Sequence, residues 1–115
     1  MMHAQTILVA EDEGLIALDL QMSLEDEGMR VVGPFATIED CLAAVEKHPV
    51  DLAILDVNLR GKNVYPVADR LQEDGVPFVF HTGHGDPNEL ARRFPGAKVC
   101  RKPTSVRNLI AHLQR

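Results

Sequence analysis

Five short apolar runs, each followed by a stretch with helical patterning or capping chemistry, divide the chain. Thr6–Ala10 is apolar after its first residue, which predicts a strand buried on both faces. Leu15, Ile16, Leu18, Leu20, Met22 and Leu24 follow in a stretch that predicts a helix stopped at Gly28. Met29–Val32 is the second run. Thr37 then stands as N-cap three residues before Asp40, an acidic variant of the capping box. Leu42 and Val45 lie on the apolar stripe of that helix, and Pro49 ends it. Leu52–Leu55 is the third strand, and the helix over Val64–Glu73 tolerates Pro66 in its first turn. Val76–Phe80 is the fourth strand. Asp86-Pro87-Asn88-Glu89 repeats the start chemistry, but Pro95-Gly96 keeps that helix from passing Phe94. Ala97–Cys100 is the fifth strand, and Thr104 or Ser105 caps a last helix to about Gln114.

Five strand–helix units in series predict an α/β fold, a parallel sheet with helices on both faces. Right-handed crossovers restrict it to a doubly wound sheet. A length of 115 residues fits one domain with one core, residues 1–115. No apolar run is long enough to cross a bilayer. Met1 to Gln5 lack the basic start and apolar stretch of a signal peptide, so a cytoplasmic protein is expected. Cys41 and Cys100 have no CxxC spacing and read as reduced packing residues.

Charge changes the picture in one respect. The net charge of −5 argues against nucleic acid as a partner. It is unevenly spread: residues 1–86 carry −11, and residues 87–115 carry +6. The basic part includes Arg92, Arg93, Lys98, Arg101 and Arg107, which reads either as a face for a protein partner or as a solvated helix that is basic.

The chemistry gathers at the predicted strand ends. Glu11, Asp12 and Glu13 follow the first strand, Asp56 the third, Thr82 the fourth and Lys102 the fifth. In a parallel sheet these ends share one rim, where ligands of doubly wound folds bind. Clustered carboxylates repel unless a cation neutralises them, and sparse oxygen donors suit Mg²⁺. A carboxylate held at such a metal can act as nucleophile toward a phosphoryl group. A lysine and a hydroxyl can then stabilise the transferring oxygens.

The set Glu11-Asp12, Asp56, Thr82 and Lys102-Pro103 resembles the response-regulator receiver domain, over nearly the whole chain. The resemblance implies a flavodoxin-like strand order 2-1-3-4-5. It implies Asp56 as phosphorylated residue, Thr82 and Lys102 as ligands of the phosphoryl oxygens, and a cis Lys102–Pro103 bond. Asp12 would bind Mg²⁺ directly, Glu11 mostly through water, and Asn58 by its backbone carbonyl. Pro77-Phe78-Val79-Phe80-His81-Thr82-Gly83 is similar to the PFxFATG(Y/G) signature of the stand-alone "FAT GUY" receivers. It departs at His81 (Ala is usual) and at His84 (Tyr or Gly). Val99 replaces the usual aromatic switch residue, so ordering of 83–96 is expected to replace a ring flip. The implied function is phospho-acceptance in a bacterial two-component system or phosphorelay. A histidine kinase or phosphotransfer protein would be donor, with a downstream protein on the basic face, no output domain, no DNA and no membrane.

Two rivals share the residues. A phosphatase with an Asp nucleophile needs a second Asp two positions on, where Asn58 stands. An unphosphorylated pseudo-receiver would not need the intact acidic set. His81, His84 and Asp86 could suggest a transition metal, but their spacing straddles a strand end and a glycine turn.

Overall fold

The computed structural model describes residues 4–114. Met1–His3, part of the segment read as lacking a leader, and the charge of Arg115 lie outside them. The elements run β1 (Thr6–Ala10), α1 (Gly14–Asp26), β2 (Arg30–Phe35), α2 (Ile38–Lys47), β3 (Leu52–Leu55), β4 (Asn58–Leu59) and β5 (Lys62–Asn63). They continue with α3 (Tyr65–Glu73), β6 (Phe78–Thr82), α4 (Pro87–Arg93), β7 (Lys98–Arg101) and α5 (Val106–Leu113). The five long strands form one parallel sheet in the order β2-β1-β3-β6-β7. Counted without the small β4–β5 pair, that is the order 2-1-3-4-5.

Alternation along the strands builds two cores. Leu8, Ala10, Leu55 and Phe80 point to one face and pack with Cys41, Val67, Leu71, Leu90 and Phe94 of the α2–α4 side. Ile7, Val9, Ile54 and Val79 point to the other and pack with Leu20, Leu24, Leu109 and Leu113 of α1 and α5. Both faces are covered, so the strands carry no polar period. Among the described residues no helix is long and apolar enough to cross a membrane. Both cysteines are free and buried, and burial, aided by Asp40 and Glu39, pushes the Cys41 thiol up to about 12.

Local chemistry sets most boundaries. The Thr37 hydroxyl accepts from Asp40 N at 3.1 Å, and Asp86 accepts from Asn88 N at 2.9 Å. Ser105, not Thr104, caps α5 by accepting from Asn108 N at 3.2 Å. Thr104 instead donates to the Arg101 carbonyl. The strand over 76–80 shifts to Phe78–Thr82, because Val76 N–H is taken by Leu71 O at the end of α3. Its far end is extended by pairing of His81 and Thr82 with Cys100 and Arg101. The strand over 29–32 likewise becomes Arg30–Phe35, passing through a cis Gly33–Pro34 bond. The β4–β5 hairpin is not foreseen by the apolar pattern, since only Leu59 in it is buried. In α1 the residues Leu15, Leu18 and Met22 are exposed, so only part of the apolar set read there reaches the core.

α4 has seven residues and depends on packing rather than on its own propensity. Its anchors are Leu90 and the adjoining Phe94, both fully buried. The Phe94 ring meets Tyr65, Phe80 and Phe78 at centroid distances of 5.4, 5.6 and 6.0 Å, in edge or tilted geometry. Phe94→Ala should therefore destabilise the protein by about 3–5 kcal/mol in urea unfolding. An unchanged midpoint would show that this ring does not anchor α4.

Candidate functional site

Backbone bonds beyond the strand ends assemble the rim. Asp56 N–H donates to Ala10 O at 2.9 Å, which sets the residue after β3 beside the end of β1. Glu11 N–H donates to Phe35 O at 2.9 Å, and Lys102 N–H to Thr82 O at 3.0 Å. The Lys102–Pro103 bond that follows is cis. Glu11, Asp56 and Thr82 are buried, Asp12 and Asn58 exposed.

The side chains converge on one ammonium. Lys102 Nζ lies 2.7 Å from Glu11 Oε1 and 2.9 Å from Asp56 Oδ2. Glu11 also accepts from Glu13 N at 3.2 Å. Burial raises the Glu11 pKa above its ordinary value, against the lowering effect of Lys102 and the Glu13 N–H. Burial by itself would lower that of Lys102, but its bonds to Glu11 and Asp56 outweigh this and raise it. The ammonium therefore stays charged beside the two carboxylates.

Glu11, Asp12 and Asp56 each bring a carboxylate oxygen within 4.8 Å of the others. One ammonium facing three carboxylates leaves the group electronegative. Its all-oxygen character fits Mg²⁺, which takes a few carboxylates and keeps several waters. One Asp12 oxygen accepts from Arg60 N at 2.8 Å, so the β4–β5 hairpin braces the candidate metal ligand. Sequence reasoning missed Arg60, which acts through its backbone at φ 51°. The Asn58-x-x-Gly61 spacing was the available signal, as Asn58 Oδ1 accepts from Gly61 N at 2.8 Å and closes that turn.

Asn58, Thr82 and His84 line the same cleft of about 400 Å³ as the acids and Lys102. Thr82 is not bonded to Asp56. Its Oγ1 accepts from His84 N at 3.2 Å and Gly85 N at 3.0 Å, in the turn before α4. Gly85 must lack a side chain there, because a Cβ would stand 2.8 Å from the Thr82 methyl. Asn58 N–H approaches Asp56 Oδ1 at 3.4 Å. His81 and His84 do not join a metal-binding group among the described residues. His81 is buried on the other side of β6, with neither ring nitrogen bonded.

The raised Lys102 pKa has a signed consequence for stability. Its contribution is present below the unfolded value of 10.5 and is lost as pH rises through the raised folded value. Without divalent cations, Lys102→Ala should be less stable at neutral pH and should lose less stability across alkaline pH than the wild type. Urea midpoints measured against pH check this; parallel curves for the two proteins would contradict it.

This rim, with three acids facing a lysine at the ends of a doubly wound sheet, is matched by known proteins. The response regulator receiver domain family matches residues 7–114. The Mycobacterium tuberculosis transcriptional regulatory protein PdtaR is 31% identical over 111 residues, 94% of this chain and 54% of PdtaR. The chain thus spans about half the length of that relative. Among solved structures, SdrG from Sphingomonas melonis Fr1 is 40% identical with a TM-score of 0.84, covering 100% of both chains. A BeF3-activated conformation of SdrG matches at 42% identity and a TM-score of 0.73, over 96% of this chain and 93% of SdrG. A Sinorhizobium medicae receiver protein gives 25% identity and a TM-score of 0.85, over 97% and 93%. The chain belongs to the response regulator receiver domain family.

Proposed function

We propose that the protein accepts a phosphoryl group on Asp56, with Mg²⁺, from a histidine kinase or histidine phosphotransfer protein. The observation that carries this is the Lys102 ammonium held 2.9 Å from Asp56 and 2.7 Å from Glu11, with Asp12 beside them. Glu11, Asp12, Asp56 and the Asn58 carbonyl would hold the metal. When bound, the ion supplies charge that offsets the acids and the incoming phosphoryl oxygens. An Asp56 oxygen attacks phosphorus, the bond to the donor imidazole breaks, and its electron pair stays on that nitrogen. Lys102 leaves the Asp56 oxygen to bind a phosphoryl oxygen, and Thr82 adds a hydroxyl donor after leaving the turn N–H groups. The BeF3-activated form of SdrG supports such chemistry in a similar chain.

The receiver unit, residues 1–115, acts on itself and turns over no separate substrate. It works in the cytoplasm and passes its signal by protein contact. Leu15, Leu18 and Met22 are exposed on α1, next to the rim, and offer the phosphoryl donor an apolar ridge. Arg92, Arg93, Lys98 and Arg101 are exposed on α4 and β7, and suit an acidic downstream protein better than DNA or a membrane.

Acetyl phosphate with Mg²⁺ should add one phosphoryl group, read as intact mass, and a chelator should prevent it. Asp56→Asn should abolish the adduct; labelling that persists at the same rate would overturn the assignment. Asp12→Ala should weaken Mg²⁺ binding at least about tenfold in a titration. Repeated hydrolysis of substrate would instead favour the phosphatase reading. Absence of any adduct would favour an unphosphorylated binding module.

A further inference from the structure

β6 lies between β3 and β7 in the sheet. The Lys102 side chain starts beyond the end of β7 and must cross the end of β6 to reach Asp56 and Glu11. The residues it crosses are His81 and Thr82, and its own N–H is tied to Thr82 O. Thr82 belongs to the acidic cleft. His81 belongs to a separate cleft of about 470 Å³ between α1 and the start of α5, in which Lys102 also forms part of the wall.

His81 is 4% exposed, and neither Nδ1 nor Nε2 has a hydrogen-bond partner. Leaving a buried polar group unpaired is unfavourable, because it loses its hydrogen bonds to water and gains none in return. The fold has no use for imidazole here, since Val79 fills the same face two residues earlier with an apolar side chain. Ile16, Leu20, Pro103 and Val106 surround the cleft, and Asp19 is the acid that α1 presents to it. Cys100 is the cross-strand neighbour on β7, while Asp56 on β3 and Glu11 after β1 stand beyond the lysine. From α5 and its approach the neutral Thr104 and Ser105 line the cleft.

We propose that His81 is a positioning residue for Lys102: the neutral imidazole walls the lysine's crossing of β6 and keeps the ammonium on the carboxylates, and a proton on the ring drives it off. This rests on the reading of Asp56 as acceptor and Lys102 as its cation. Burial first, and then the charge of Lys102, hold the His81 pKa below its ordinary value, while Asp56 acts in the opposite sense. The ring is therefore neutral at physiological pH and gains its proton only in acid, where a buried imidazolium would stand beside the half-buried Lys102 ammonium. Lys102 would then deliver its charge to the phosphoryl group best when His81 is uncharged.

The test follows the ammonium directly. The ¹⁵N signal of Lys102 Nζ and the His81 ring signals are titrated in the unphosphorylated protein from about pH 8 to about pH 5. In the wild type the Lys102 signal should move with the His81 midpoint, and in His81→Phe that component should vanish. Initial rates with acetyl phosphate form the second arm. Wild type should slow in acid relative to His81→Phe, and His81→Ala should be about tenfold slower at neutral pH, with Mg²⁺ affinity unchanged. A Lys102 signal indifferent to His81 titration, or the same acid decline in His81→Phe as in wild type, overturns the proposal. If His81→Ala fails to fold, the two His81→Phe measurements decide. A Lys102 signal that follows His81 in a protein that takes no phosphoryl group would sustain the positioning role and refute the function of Asp56.

Discussion

The site depends on one cation held against buried carboxylates. Glu11 is 3% exposed and Asp56 9%, and neither could be buried so deeply beside the other without Lys102 between them. Isolated charges are costly to bury, and pairing with good geometry offsets that cost. Each of the three groups comes from a different strand end. The ion pairs therefore require β1, β3 and β7 to be in register, and backbone bonds from Asp56 to Ala10 and from Lys102 to Thr82 provide it.

That register is itself a product of the two cores. Side chains on alternate sides of β1, β3 and β6 are buried on both faces, and a slip by one residue would exchange the faces. The order β2-β1-β3-β6-β7 places β1 and β3 side by side, which brings Glu11 and Asp56 together. It also places β6 under the path of Lys102. The same order gives His81 and Thr82 opposite roles, one facing α1 and α5, the other facing the acids.

The loops around the rim are fixed in unequal ways. The β4–β5 hairpin reaches Asp12 through a backbone N–H, a donor that every residue except proline would supply at position 60. The turn before α4 holds the Thr82 hydroxyl by two N–H groups, while Phe94 moors the far end of the helix in an aromatic group. Movement of Thr82 toward a phosphoryl group would free the turn and leave the Phe94 anchor in place. Val99, only partly buried beside these rings, has no ring of its own to swing, and the aromatic group on this side of the sheet is made by Tyr65, Phe78, Phe80 and Phe94.

The sequence by itself determined the five strand–helix units, because burial on both faces leaves apolar runs and because Thr37 and Asp86 are local caps, while the choice of Ser105 over Thr104 as the last cap came from the structure. It also determined that Glu11, Asp12, Asp56, Thr82 and Lys102 fall at strand ends, since each follows or closes an apolar run. Ends of parallel strands must share a rim, so the composition of the site was legible before its geometry. Other features came from contacts between residues distant in the chain. The extension of β6 to Thr82 required pairing with β7, and the bond from Arg60 N to Asp12 joins residues 48 positions apart. The side of β6 on which His81 lies, and the absence of any partner for its ring, could not be read from a local pattern either. Apolar periodicity records which positions avoid water; which polar atoms meet, and which are left unpaired, is decided only when the sheet closes the distances between them.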